Sequence, residues 1–136
     1  MAEITLAAVV ENIEAVTDFV TEQLDALGCS MKMQMQFSIA VDEIFSNISR
    51  YAYPAGTGEA TVQVASRNEG KEIVVTFIDQ GIPYNPLEKE DPDTTLSAEE
   101  RPIGGLGIFM VKKSMDDMAY RYEDGKNILS LIKYSV

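Results

Sequence analysis

The sequence predicts an α/β (α+β) protein in two layers, with helices packed over a sheet. Three segments repeat apolar residues at three- and four-residue steps, the period of an amphipathic helix. Others alternate or are apolar on both faces, as strands are. Two hairpin signals, Asn68-Glu69-Gly70 and Glu123-Asp124-Gly125-Lys126, join the strand-like segments in pairs. At 136 residues the chain falls in the range of one domain, residues 1–136.

In chain order, Glu3 to Ala8 alternates weakly and predicts an edge strand. Val9, Ile13, Val16, Phe19, Val20, Leu24 and Leu27 then follow the helix period, with Gly28 as its stop. Ser30 is placed to cap a second helix, whose apolar stripe is Phe37, Ala40, Val41, Ile44, Phe45 and Ile48. The Pro-Ala-Gly-Thr-Gly run after Tyr53 breaks that helix. Glu59 to Arg67 alternates, and Lys71 to Asp79 is apolar on both faces, which describes an interior strand ending at Asp79. Leu87 to Arg101 is acidic, punctuated by proline and poor in apolar residues, so it predicts a loop. A third helix opens at Gly104-Gly105-Leu106-Gly107 and carries Ile108, Phe109, Val111 and Met115. Strands over Met118 to Glu123 and Asn127 to Tyr134 close the chain.

Composition excludes whole classes of function. The chain has no histidine and a single cysteine, Cys29, so Ser-His-Asp and Cys-His catalysis, histidine phosphotransfer within the chain and an internal disulfide are ruled out. Any general base must be a carboxylate or something rarer. Twenty-two acids against 11 bases give a net charge of −11, which disfavours nucleic acid and anionic membrane as direct partners and favours a protein. Apolar runs are far too short to span a bilayer and the N-terminus is acidic, so a cytoplasmic protein is expected.

Three motifs stand in order. On the second helix, at about 100° per residue, Glu43, Asn47 and Arg50 fall within about 60° of one another. That face reads either as a solvated surface or as a site where an amide oxygen ligates Mg²⁺ and a carboxylate one turn earlier deprotonates a nucleophile. Asp79-Gln80-Gly81-Ile82-Pro83 follows the interior strand. Asp79 there is either a turn residue or an acceptor for a ligand's exocyclic amine, with Gly81 giving room to a purine plane. Gly104 to Gly107 opens a helix, whose free N–H groups and positive dipole end suit a phosphate. It reads otherwise as a plain helix-entry turn. The loop from about residue 87 to 103, between two such turns, reads as a lid or as an insertion.

Together, EIFSN, DQGIP and GGLGIFMV resemble the N, G1 and G2 boxes of the GHKL (Bergerat-fold) ATPases, and within them the small anti-sigma-factor serine/threonine-protein kinases. The resemblance spans essentially the whole chain. It implies a Bergerat, histidine-kinase-like two-layer sandwich: a mixed, mainly antiparallel sheet of about five strands with three helices on one face. It implies ATP and Mg²⁺ as cofactors, Glu43 as general base and Asn47 as metal ligand. Asp79 becomes the adenine acceptor, with Gly81 beneath the ring and Pro83 shaping the turn. Gly105 and Gly107 become triphosphate donors, Gly104 permits lid closure, and Arg50, Arg101 and Leu106 complete the nucleotide-binding set. The family commonly has a histidine four residues beyond the Asn; Tyr51 stands there.

The activity implied is transfer of phosphate from ATP to Ser or Thr of a STAS-type anti-anti-sigma protein. Transcription regulation would follow by partner switching with a sigma factor, in a homodimer. An ATP-gated binding regulator without kinase activity is the alternative. Few charges lie along Ile73, Val75 and Phe77, so the sheet face they line is expected to form part of a dimer or partner surface.

Overall fold

The computed structural model describes residues 1–88 and 106–134. Strand β1 (Ala2–Ala7) leads through a 3₁₀ turn at Val10–Asn12 into helix α1 (Ile13–Ala26), followed by α2 (Met31–Asn47). A π-helical segment, Ile48–Ala52, prolongs α2. Strands β2 (Glu59–Arg67) and β3 (Glu72–Asp79) precede a 3₁₀ turn at Pro86–Glu88, and α3 (Leu106–Ser114), β4 (Asp117–Glu123) and β5 (Lys126–Tyr134) complete the described chain. The expected lid, beyond Glu88, lies outside the described residues.

Local chemistry explains the element ends. Gly28 takes φ 79°, and Cys29 N–H and Gly28 N–H donate to the carbonyls of Leu24 and Asp25, a Schellman stop for α1. Ser30 Oγ accepts from Met33 N–H at 3.1 Å and starts α2. Buried Gln34 donates to the Cys29 carbonyl at 3.0 Å, pinning the link between the helices. In the second hairpin, Asp124 and Gly125 both have positive φ (53° and 75°), as a two-residue turn of the hairpin-favouring hand requires.

The sheet order is β1-β2-β3-β5-β4 and all four described pairings are antiparallel, in line with the mainly antiparallel five-stranded sheet expected. β1 is an edge and β3 the centre, as the sequence predicts. The helices cover one face. Phe37 and Phe45 from α2, Val16, Val20 and Leu24 from α1, and Val111 from α3 meet Val62, Val75, Phe77 and Leu131 of the sheet, all at most 1% exposed. Burying a side chain of this size contributes roughly 1.5–3 kcal/mol.

One expectation is corrected. Ile73, Val75 and Phe77 do not line an outer surface: they lie in the helix-covered core, 2%, 0% and 1% exposed. Because β3 is apolar on both faces, its pattern did not say which phase turns toward the helices. The opposite face carries Thr76 and Ile78, and is zipped by polar pairs: Thr5 with Thr61 at 2.8 Å and Thr76 with Ser130 at 3.0 Å. The same phase that buries Ile73, Val75 and Phe77 delivers Asp79 to the helix side.

Candidate functional site

At the Asp79 end of β3 the two layers part around a cavity of about 510 Å³, counting space open to solvent. Its walls are largely apolar, with Ile44 and Ile48 from the α2 region, Phe77 and Leu129 from the sheet, and Ile108 from α3. Among the described residues its polar lining comes from Asn47, Asp79 and Asn127, with the phenols of Tyr84 and Tyr120. Apolar walls with a few fixed polar groups are the usual makeup of a small-molecule site.

Asp79 is 7% exposed, and its Oδ1 accepts from Gly81 N–H at 2.9 Å and from Asn127 Nδ2 at 3.0 Å. Asn127 is its direct partner across the β3–β5 ladder. The turn after Asp79 is docked on the π-helical segment: Ile82 N–H donates to the Ala52 carbonyl at 2.9 Å. Gly81 is buried there, and a Cβ on it would collide with the Ala52 backbone, so only glycine lets the two segments meet. Tyr53 braces the same junction, donating its hydroxyl to the Glu59 carbonyl at 2.6 Å and accepting from Gln80 N–H at 2.8 Å.

Glu43, half-buried on α2, lies against the first turn of α3, where Gly107 leaves space for its carboxylate. Glu43 and Asn47 therefore stay one turn apart on α2. Of the three, only Asn47 lines the cavity; Glu43 lies beside it on α2, and Arg50 is exposed in the π-helical segment. The 3.6-residue phase that grouped it with Glu43 ends at Asn47, where the hydrogen-bond spacing widens. Pro83 is exposed in the turn, and its neighbours Ile82 and Tyr84 are the residues that reach the cavity. Leu106 begins α3. Arg101, Gly104 and Gly105 lie outside the described residues.

Sequence reasoning missed Tyr53, Tyr84, Tyr120 and Asn127. Asn127 had a legible signal: it is a polar residue in phase with Leu129 and Leu131 along β5. Burial pushes the Tyr53, Tyr84 and Tyr120 phenols above the ordinary tyrosine range. The Glu43 charge adds to the effect at Tyr84, and the Asp79 charge adds at Tyr53 and Tyr120. Among the described residues no group of three or more carboxylates or cysteines is arranged to hold a metal unaided. None of their helices is long and apolar enough to cross a membrane.

Residues 6–133 match the family of the histidine kinase-like ATPase domain. Similar proteins include the serine/threonine-protein kinase BtrW of Bordetella bronchiseptica, 26% identical over 106 residues that cover 78% of this chain and 74% of BtrW. The serine-protein kinase RsbW of Bacillus mycoides is 29% identical over 112 residues, covering 79% of this chain and 68% of that protein. An RsbW of Bacillus cereus is 30% identical over 98 residues, covering 71% of this chain and 61% of its own length. A crystal structure of the RsbU and RsbW domains of a Mycobacterium tuberculosis protein superposes with TM-score 0.63 at 14% identity, over 98% of this chain and 32% of that one. That last likeness is one of fold.

Proposed function

The chain belongs to the histidine kinase-like ATPase family, and from that premise we propose that it is an ATP-dependent serine/threonine-protein kinase and anti-sigma factor whose substrate is a STAS-type anti-anti-sigma protein. The similarity to RsbW and BtrW kinases supports this reading. The observation that carries it is the cavity itself, with a buried carboxylate at its strand end, an amide on its wall and a second carboxylate against the first turn of α3.

In this reading the adenine lies between the apolar walls and gives its amino hydrogen to Asp79, above Gly81 and the turn at Pro83. The triphosphate runs toward the N-terminal turn of α3, where the backbone of Gly105, Leu106 and Gly107 donates to it and Gly104 lets the lid close. Arg50 and Arg101 add positive charge for the phosphates. Asn47 fits Mg²⁺, which takes one or two protein oxygens with the rest of its shell from phosphates and water; the ion would neutralise charge on the phosphates.

Glu43 takes the proton of the partner's Ser or Thr hydroxyl as its oxygen attacks the γ-phosphorus. The new O–P bond forms as the bond to the bridging oxygen breaks, and ADP leaves. Positioning and charge neutralisation supply most of the acceleration in such transfers. The sigma factor and the STAS protein exchange as partners of a cytoplasmic homodimer. Sedimentation showing only monomer at high micromolar concentration would remove the dimer.

Incubation with labelled ATP, Mg²⁺ and a cognate STAS protein tests the kinase. Label on the partner is expected, and none at saturating ATP overturns the assignment. A second reading, an ATP-gated binder that transfers no phosphate, is favoured by Tyr51, which stands 62% exposed where the family commonly has histidine.

A further inference from the structure

The Asn127 side chain uses all of its hydrogen-bonding capacity in one place. Its Nδ2 donates to Asp79 Oδ1 at 3.0 Å and to the Ile82 carbonyl at 2.9 Å, with the Gly81 carbonyl at 3.5 Å. Its Oδ1 accepts from Tyr84 N–H at 3.1 Å and from the Tyr120 hydroxyl. Only an amide serves these neighbours. A carboxylate at 127 would oppose the Asp79 carboxylate and the Ile82 carbonyl with no hydrogen to offer, and a hydroxyl has one donor where two are used. The reversed amide would set carbonyl against carboxylate. The residue is 6% exposed, so each lost bond would leave a desolvated group unpaired.

The consequence falls on Asp79. With Gly81 N–H and Asn127 Nδ2 both on Oδ1, the carboxylate is held at one oxygen, and among the described residues Oδ2 has no hydrogen-bond partner. The same amide holds the 82–84 turn and Tyr120, which are cavity walls on either side of it. Resting on the ATP reading above, we propose that Asn127 is the positioning residue for nucleobase choice: it presents Asp79 Oδ2, correctly turned, to the exocyclic amine of the base. It touches the acceptor and not the reacting phosphate. Its removal therefore acts on which purine binds.

The test titrates ATP and inosine triphosphate, which lacks the amino group, into the full chain and into Asn127→Ser. The wild type should favour ATP by about tenfold or more, the worth of one charge-assisted hydrogen bond. In Asn127→Ser that preference should fall toward unity, chiefly through weaker ATP binding. A folded Asn127→Ser that weakens both nucleotides in equal proportion, or neither, overturns the proposal and leaves Asn127 a packing residue. A wild type that binds neither nucleotide overturns the ATP reading itself, a separate outcome. Should Asn127→Ser not fold, the wild type still decides. The Asn127 side-chain amide resonance should move more on adding ATP than on adding inosine triphosphate, and equal displacement overturns the proposal.

Discussion

The α-carbon of Gly107 rests on the carboxylate of Glu43, so closely that a Cβ at position 107 would overlap Oε1, Cδ and Oε2. The obstructed atoms are the far end of a flexible side chain, so a methyl group there would turn the carboxylate aside while leaving the helices packed. Gly107→Ala is therefore expected to fold normally and to lose phosphotransfer by about a hundredfold, the scale on which a displacement of about 1 Å is felt at a reacting centre. Thermal melts alongside transfer assays check it; unchanged transfer would mean that the position of Glu43 does not matter.

Glu43→Gln separates the two functional readings. Losing a general base costs typically 10²–10⁴-fold in rate. A kinase variant should bind ATP and fail to transfer its phosphate, whereas a gated binder should still exchange partners when ATP is added. Calorimetry and a partner pull-down, run on the same preparation, distinguish them.

Asp79→Asn keeps the shape of the buried side chain and removes its charge. ATP binding should weaken on the order of 1.5–3 kcal/mol, about ten- to a hundredfold, and GTP should bind poorly to the wild type because its six-position offers an oxygen to the carboxylate. Normal ATP affinity in a folded variant would make Asp79 a turn residue only.

Gly81→Ala should act on stability first. Its Cβ would meet the backbone of Ala52, which cannot swing away as a side-chain tip can. Overpacking of this kind costs typically 1–3 kcal/mol. A denaturant titration should show the loss, and a midpoint equal to wild type would mean that the turn and the π-helical segment are not rigidly docked.

Alkaline pH should loosen the cavity. Burial raises the Tyr53, Tyr84 and Tyr120 phenols above their unfolded value, which favours the neutral form in the folded state. Their contribution is thus complete below the unfolded pKa, about 10, and is lost as pH rises through the folded values. Phenolate absorbance followed with circular dichroism should show a tyrosine class that ionises late and together with loss of structure. Six tyrosines titrating as one free class would contradict this.

The amino-acid order alone determined the main helices and strands, because their ends rest on local chemistry. The helix stop at Gly28, the cap at Ser30 and the Asp124-Gly125 turn are settled by residues within one turn of each other, and the structure has them where the pattern predicts. The spacing of Glu43 and Asn47 on α2 was legible for the same reason. What only the tertiary structure decided depends on partners distant in the chain. The phase of β3 was undetermined because both of its faces are apolar; packing against α1 and α2 chose the face of Ile73, Val75 and Phe77, and with it sent Asp79 into the cavity. The change from α- to π-helical spacing after Asn47, where Arg50 lies, was likewise not legible, because Ala52 of that segment docks on the turn beyond Asp79. Asn127 stands 48 residues from Asp79, and no local pattern reports that pair. Strand register brought them opposite each other, and the need of buried polar groups for partners joined them.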